Sequence, residues 1–403
     1  MGSSEHIAIV GIGVVSPFGW GVSAFVEGLY RGRTAIAPFD RFDASRHRTR
    51  LAAQTPAAPP SLRFPRRASL ADRFALAAAH EALAGAGLAG VAMGPSCGVF
   101  FGSSTGGLLE SEEWFGDLPG GRARDSLLAA QQFSAPGDAV ARAHGVAGPV
   151  ETISAACASG AMAIGRALDA LRSGEVTRAL AGGSDSLCRL TYAGFNSLRS
   201  VDAAPSRPFR RDRAGLSLGE GSAVLVLEPL ERARDRGATV LAILAGAGES
   251  CDAHHMTAPD PGGKGAERAI RAALASAGIP AGAIAFVNAH GTGTTHNDAS
   301  EAAALHAVFG DRARTVPVTS TKSLVGHLLG SAGALEAVAT AIDLGNRTVH
   351  PMPAGGEADP ALDLDLVLGV PRAVPAATHA LSTNLAFGGA NAALVLAHAE
   401  TVA

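Results

Sequence analysis

The sequence is poor in aromatic residues. Phe, Trp and Tyr make up 5 % of 403 positions. Cysteine is scarce as well: Cys97, Cys157, Cys188 and Cys251 stand far apart with no Cys-x-x-Cys pair. That spacing excludes a zinc ribbon and argues against a disulfide framework. No apolar run reaches the roughly 18 residues of a membrane span, so no membrane association is expected. Neither sign of charge is in excess. Lys plus Arg number 33 and Asp plus Glu 36, a net charge of -3, which gives no electrostatic case for a nucleic-acid partner. A basic stretch followed by an apolar one and a cleavage site is missing at the start. Met1-Gly2-Ser3-Ser4 is followed by His6 where a myristoylation signal would have Ser or Thr, and these residues are open between a native start and a cloning remnant. A cytoplasmic protein of a reducing compartment is expected.

What the chain has instead is glycine, 50 residues of it, in a composition that is 47 % apolar. There is no Gly-X-Y period, so collagen is excluded. Glycine at this level predicts tight strand-to-helix turns and close backbone contacts. Short β-rich runs alternate with Ala-rich helical ones. Strands are predicted at 6–15, 97–101, 178–182, 222–227, 240–245 and 284–288. Helices are predicted at 71–86, 161–171, 267–277 and 335–344. This alternation means a layered α/β fold with buried sheets.

The two parts of the chain echo one another. "AIVGIGVVSP" from Ala8 resembles "AILAGAGESC" from Ala242, each read as a strand entering a Gly-x-Gly turn. The run from Gly98 resembles that from Ala285, the run from Val150 that from Val316, and "RALAGGSDS" from Arg178 resembles "HALSTNLAFGG" from His379. A duplicated unit is expected, with halves at 1–237 and 238–403. Segments 31–65, 110–137 and 189–221 read as surface insertions.

Several motifs are weak. "GSSTG" at Gly102–Gly106 has the spacing of a serine-nucleophile elbow, with Ser104 as the candidate. In so glycine-rich a chain it reads better as a small-residue turn. "GIGVVS" from Gly11 lacks the third glycine of a dinucleotide fingerprint, and no Ser or Thr follows the lysine of "GGKG" at Gly262. "DSL" at Asp185–Leu187 sits at a strand end and not in a small acidic bundle, which discounts a phosphopantetheine attachment serine. His254 and His255 are adjacent, which does not suit a shared metal; no metal site is expected.

Three residues carry more weight. Cys157, in "ISAACASGAMAIG", falls between a strand and a helix rich in small residues. A helix N-terminus favours thiolate, so a lowered pKa is expected. His290, in "VNAHGTGTTHND", follows the strand 284–288, where α/β folds place their sites. His327 lies in "TKSLVGHLLGSAGALE" with Lys322 before it and Glu336 after it. A lysine in so apolar a segment needs a partner, and Glu336 can supply one.

With these segments in order, the chain resembles the β-ketoacyl-acyl carrier protein synthases, elongating condensing enzymes of the thiolase superfamily. The resemblance runs from "AIVGIGVVSPFG" to "FGGANAALVL" and includes "SRPFRRDRAGLSLGEGSAVLVLE" from Ser206. It implies a five-layer αβαβα thiolase fold of two duplicated halves, acting as a homodimer or as a heterodimer with a chain-length-factor-like subunit. Cys157 would take the acyl chain from a carrier protein, with an oxyanion hole made by the backbone of Cys157 and Phe387. His290 and His327 would support decarboxylation of a malonyl thioester, and Lys322, paired with Glu336, would orient His327. Thr292 and Thr294 match pantetheine-binding positions, and Asp298 and Glu301 match a polar support. Phe387 matches a gating aromatic. No cofactor is bound; the phosphopantetheine belongs to the acyl carrier protein. Arg63, Arg66, Arg67 and Arg207 are candidate docking residues for that acidic partner.

"GGSDSLCRLTYAGFNSL" from Gly182 is most similar to the synthases of polyene and aryl-polyene type II polyketide systems. Leu385 and Ala386 stand where housekeeping enzymes have Phe and Gly. The alternatives are a housekeeping fatty-acid ketosynthase, a non-catalytic chain-length-setting partner, and a serine hydrolase acting through Ser104.

Overall fold

The structure, a computed structural model, describes residues 6–402; the question of Met1-Gly2-Ser3-Ser4 lies outside the described residues. Ten strands carry the fold. They are β1 (Ile7–Ser16), β2 (Cys97–Gly102), β3 (Val150–Ile153), β4 (Arg178–Asp185), β5 (Gly221–Pro229), β6 (Ala242–Cys251), β7 (Ile284–Asn288), β8 (Pro317–Thr319), β9 (His379–Leu385) and β10 (Ala390–Ala397). Five helices matter most: α1 (Leu70–Gly85), α2 (Ser159–Arg172), α3 (Lys264–Ala277), α4 (Thr295–Phe309) and α5 (Ala332–Asn346).

The first five strands run in the order β1-β5-β4-β2-β3 and the second five in the order β6-β10-β9-β7-β8. Each order is the other shifted by five. The pattern of directions repeats too: the first two pairings of each set are antiparallel and the last two parallel. The four sequence echoes therefore fall on equivalent elements, and the chain is duplicated as the echoes predict. β1 and β6 join the halves by a short antiparallel pairing, Ile7–Ile9 against Ala242–Leu244.

Three buried clusters account for the layers. One packs α1 against β1, β4 and β5 on the outer side of the first half. Another packs α3 and α4 against the second half. The largest lies in the middle, where α2 and α5 run between the sheets. These two helices approach closely because glycine faces the contact from both sides. A Cβ on Gly160 would sit 2.9 Å from the Ala334 nitrogen, and one on Gly333 2.7 Å from the Ala161 nitrogen. Apolar burial of this kind is the main stabilising term, and interhelical distance is set by the residues at the crossing.

Two readings need correction. The Gly-x-Gly pairs are not turns. Gly11 and Gly13 lie inside β1, and Gly246 and Gly248 inside β6. Helix backbone presses on the strand there: a Cβ on Gly13 would meet the Ala78 carbonyl oxygen at 1.9 Å, and one on Gly248 the Ala269 carbonyl oxygen at 2.3 Å. This is why β6 runs to Cys251, well past the predicted end at 245. Segment 189–221, read as a surface insertion, begins with a helix at Arg189–Ser197 and buries Tyr192, Phe209, Leu216 and Leu218. It forms one wall of the cleft described next.

Candidate active site

The nucleophile candidate sits on a strained turn. β3 ends at Ile153, a one-turn 3₁₀ helix follows at Ala156–Ala158, and α2 begins at Ser159. Ala156, just before Cys157, has φ 46°, a conformation that costs a residue with a Cβ. The duplicated half repeats this geometry. Leu329 has φ 53° and opens the 3₁₀ turn Leu329–Ser331 before α5. Gly330 stands there where the first half has Cys157.

The Cys157 thiol lies at the bottom of a cleft of about 340 Å³ that His290, His327, Thr292, Thr294 and Phe387 also line. The imidazole rings are nearly perpendicular, with centroids 5.4 Å apart. Thr292 and Thr294 join their hydroxyls at 3.0 Å. Phe387 packs against Phe195 at 5.5 Å on the opposite wall.

The electrostatics correct one expectation. Burial pushes the Cys157 thiol up to about 11, against the pull of the Lys322 charge and of the Phe387 and Cys157 backbone N–H groups. Desolvation outweighs the helix end, because a thiolate buried there loses more hydration than the Lys322 charge and the nearby N–H groups return. The same N–H groups face the sulfur, where an oxyanion formed on an attached acyl group would lie.

Both histidines are held neutral. Burial, with the charge of Lys322, lowers each well below the ordinary range, and His327 adds to the effect on His290. His327 Nδ1 accepts from the Leu329 N–H at 3.1 Å. Its proton is therefore on Nε2, which is buried and has no partner among the described residues. His290 Nδ1 lies 3.0 Å from Lys322 Nζ, so an ammonium there leaves the His290 proton on Nε2 as well.

This contact corrects the lysine assignment. Lys322 touches His290, and not His327 as the resemblance implied. The short helix Lys322–Val325 ends at Gly326 (φ 70°), and this break turns His327 away from the lysine. His327 is held through its backbone N–H, which donates to the Ser217 carbonyl at 2.7 Å. Lys322 also pairs with Glu336, as expected, and Asn384 donates to the other Glu336 oxygen at 2.6 Å. Lys322 and Glu336 are both buried, 2 % and 1 % exposed. An ion pair so placed must be completed by further hydrogen bonds.

Glu301 and Asp298 support the turn that carries His290. Glu301 accepts from the N–H groups of His290 and Gly291, each at 2.8 Å, and from the Thr383 hydroxyl at 2.7 Å. Asp298 accepts from the Phe209 and Gly293 N–H groups at 2.7 and 3.1 Å. Burial raises the two carboxyls to about 7 and about 6.

The Ser104 hydroxyl bonds to backbone and to no acid–base side chain among the described residues. It donates to the Ala156 carbonyl at 3.1 Å, which ties the "GSSTG" loop to the turn of Cys157. The loop itself is gathered by Asp185, which the sequence brought up only as the first residue of "DSL". This fully buried carboxylate accepts from the Ser103 and Thr105 hydroxyls and from the N–H groups of Ser104, Thr105 and Gly330. It joins the Cys157 side of the cleft to the His327 side. An acid ending a wholly buried strand has to find such donors, and that was the available signal.

The docking candidates lie elsewhere. Arg63, Arg66 and Arg67 are exposed in the segment leading into α1, and none forms an ion pair among the described residues. Arg207 differs: its guanidinium is bonded to Asp202 and Asp212 at 2.9 and 3.0 Å.

Two duplicated α/β halves that bring a cysteine and two neutral histidines to one cleft define a thiolase-type acyl-transfer enzyme. Residues 4–233 match the beta-ketoacyl synthase N-terminal domain and residues 241–355 its C-terminal domain. The chain is 35 % identical to 3-oxoacyl-[acyl-carrier-protein] synthase 2 of Synechocystis sp., over 97 % of both chains. It is 37 % identical to the tetracenomycin polyketide synthase ketoacyl synthase alpha subunit of Streptomyces glaucescens, over 98 % of this chain and 97 % of that one. Among solved structures, the ishigamide ketosynthase/chain length factor superposes with a TM-score of 0.93 at 33 % identity, covering 98 % of this chain and 100 % of that one. The chain belongs to the β-ketoacyl synthase family.

Proposed function

We propose that this chain is a β-ketoacyl synthase that condenses an acyl group held on Cys157 with malonyl-acyl carrier protein, within a type II system of the polyene polyketide kind. The observation that carries the reading is the pair of buried imidazoles, with centroids 5.4 Å apart and each Nδ1 engaged by a donor group, lining one cleft with a buried thiol.

In the first half-reaction the Cys157 sulfur bonds to the acyl carbonyl carbon. The carrier's pantetheine sulfur leaves and takes up the thiol proton. In the second, the bond between the malonyl α-carbon and its carboxylate breaks. Carbon dioxide departs and the electron pair stays as an enolate, whose oxygen accepts hydrogen bonds from the Nε2–H groups of His290 and His327. The enolate carbon attacks the acyl carbonyl on Cys157. The Cys157 and Phe387 N–H groups hold the resulting oxyanion, and its collapse expels the cysteine sulfur. A neutral donor serves this step because it stabilises negative charge without first surrendering a proton.

The acyl carrier protein as partner is supported by the names of the relatives and by the unpaired arginines Arg63, Arg66 and Arg67. A second subunit, identical or chain-length-factor-like, is supported by the ishigamide neighbour. The pantetheine arm would run past Thr292 and Thr294. The cofactor is then the carrier's own, and the chain binds none. No helix among the described residues is long and apolar enough to cross a membrane, and the four cysteines are all free thiols, which supports action in the cytoplasm. The polyene assignment rests on the segment from Gly182 and on Leu385 and Ala386, which line the cleft next to Phe387.

Intact-protein mass after incubation with acyl-carrier protein tests the proposal. An acyl adduct is expected on the wild type and none on Cys157→Ala. A wild type that stays unmodified overturns it and leaves the non-catalytic partner reading; an adduct that survives the substitution overturns it by placing the acyl group on another nucleophile.

A further inference from the structure

Behind the Lys322–Glu336 pair lies a second buried acid–base pair that the condensation chemistry leaves unused. His350 and Asp343 are both 0 % exposed. His350 Nδ1 meets Asp343 Oδ2 at 2.6 Å, and Oδ1 of the same carboxylate accepts from the Tyr30 hydroxyl at 3.0 Å and from the His350 N–H at 3.2 Å. Asp343 and Glu336 are seven residues apart on α5, two turns, so their side chains leave the same face of the helix.

The other edge of the ring points toward the active site. His350 Nε2 lies 3.3 Å from the Thr321 hydroxyl. Thr321 immediately precedes Lys322, and its carbonyl accepts from the Leu324 and Val325 N–H groups at 3.0 and 3.2 Å at the start of the short helix Lys322–Val325. Its hydroxyl lies 3.0 Å from Asn288 Nδ2, and Asn288 Nδ2 is 3.2 Å from the Glu336 carbonyl oxygen. The Thr321 hydroxyl also lies 3.2 Å from Asn288 Oδ1. Thr321 therefore stands between the Asn288 amide and the His350 ring, and polar contacts run without a gap from Asn288 through Thr321 and His350 to Asp343. A chain of this kind, fully satisfied, holds its members in a single arrangement. Apolar side chains of the same volume would be at least as stable in that space, so packing alone does not call for it.

The geometry points to His350 as a positioning residue for condensation. Held by Asp343, it fixes Thr321 and so the placement of Lys322 against His290. The inference rests on the condensing reading of the site. It concerns the malonyl half-reaction, which uses His290, and not the acylation of Cys157.

Two substitutions of His350 separate this role from a structural one. The amide of His350→Asn can take the place of Nδ1 and keep Asp343, but does not reach Thr321. The amide of His350→Gln reaches the place of Nε2 and can meet Thr321. The probes are an acyl-carrier protein for acylation, read by intact mass, and malonyl-carrier protein for carbon dioxide release from the acylated enzyme. His350→Asn is expected to slow carbon dioxide release about tenfold or more, the scale of a small misplacement of a catalytic group, with acylation within about twofold of wild type. His350→Gln is expected to recover most of the loss. Thr321→Val breaks the same chain one link nearer the lysine and should behave like His350→Asn; it carries the test if the His350 variants do not fold. The inference is overturned if His350→Asn releases carbon dioxide at the wild-type rate, or if both half-reactions fall together in step with thermal stability. Failure of the wild type to acylate at Cys157 overturns the condensing reading instead, and that result is distinct from either.

Discussion

The Lys322 ammonium and the His290 imidazole meet at 3.0 Å, nitrogen to nitrogen. A cation at Nδ1 does two things to the ring. It keeps a second positive charge off the imidazole, and it leaves the ring's one proton on Nε2, facing the cleft. Glu336 balances the lysine from the other side. The arrangement makes a neutral hydrogen-bond donor out of a group that titrates near neutrality in water.

Lys322→Met removes that control while keeping the length of the side chain. Decarboxylation of malonyl-carrier protein should fall about a hundredfold, the contribution typical of a positioned acid–base group. Cys157 should still acylate, more slowly, because the Lys322 charge also favours its thiolate. Half-reaction kinetics check this; unchanged carbon dioxide release would remove the lysine from the mechanism.

The thiol gives a pH signature. With the Cys157 pKa raised to about 11, the thiolate is a minor species at neutrality. Below the pKa its fraction grows about tenfold per pH unit. Alkylation of Cys157 by iodoacetamide, followed on its own peptide, should therefore accelerate from pH 7 to 10 without a plateau. A plateau near pH 7 would show that the helix end prevails over burial.

Asp185 should prove a stability determinant. Asp185→Ala leaves the Thr105 and Gly330 N–H groups without their acceptor and is expected to cost about 3 kcal/mol, measured by urea unfolding. Ser104→Ala removes one hydroxyl from the same loop and should keep condensation within a few-fold of wild type. Abolished acylation in Ser104→Ala would revive the hydrolase reading.

Charge reversal of Arg66 and Arg67 to Glu should raise the apparent KM for carrier protein with little change in kcat, and the difference should shrink as salt rises. The same change at Arg207 should instead disturb folding, since Asp202 and Asp212 would face a third acid.

Much of the fold was legible in the chain. Alternating strands and helices, and four echoes in matching order, were enough for two duplicated halves, because burial of sheet and helix faces imposes periodicities of two and of three to four residues on any sequence that folds this way. Cys157, His290 and His327 were legible for a different reason: Cys157 and His290 follow strands in runs of small residues, and His327 lies in an apolar, small-residue segment between Lys322 and Glu336. Local pattern did not reveal which neighbours cross the layers. Asp185 collects donors from loops some eighty and some one hundred and forty-five residues away, and no periodicity records that.

The glycines show the same division. Their number predicted close approaches, yet Gly11, Gly13, Gly246 and Gly248 turned out to accommodate helix backbone against a strand and not to turn the chain. The sequence by itself determined which side chains could do the chemistry and that Cys157 and His290 follow strands. Only the tertiary structure decided that Lys322 meets His290, that burial pushes the Cys157 thiol pKa up, and that the segment from 189 to 221 walls the cleft. These depend on packing between elements distant in sequence and on the dielectric that packing creates, and neither is written in the spacing of residues along the chain.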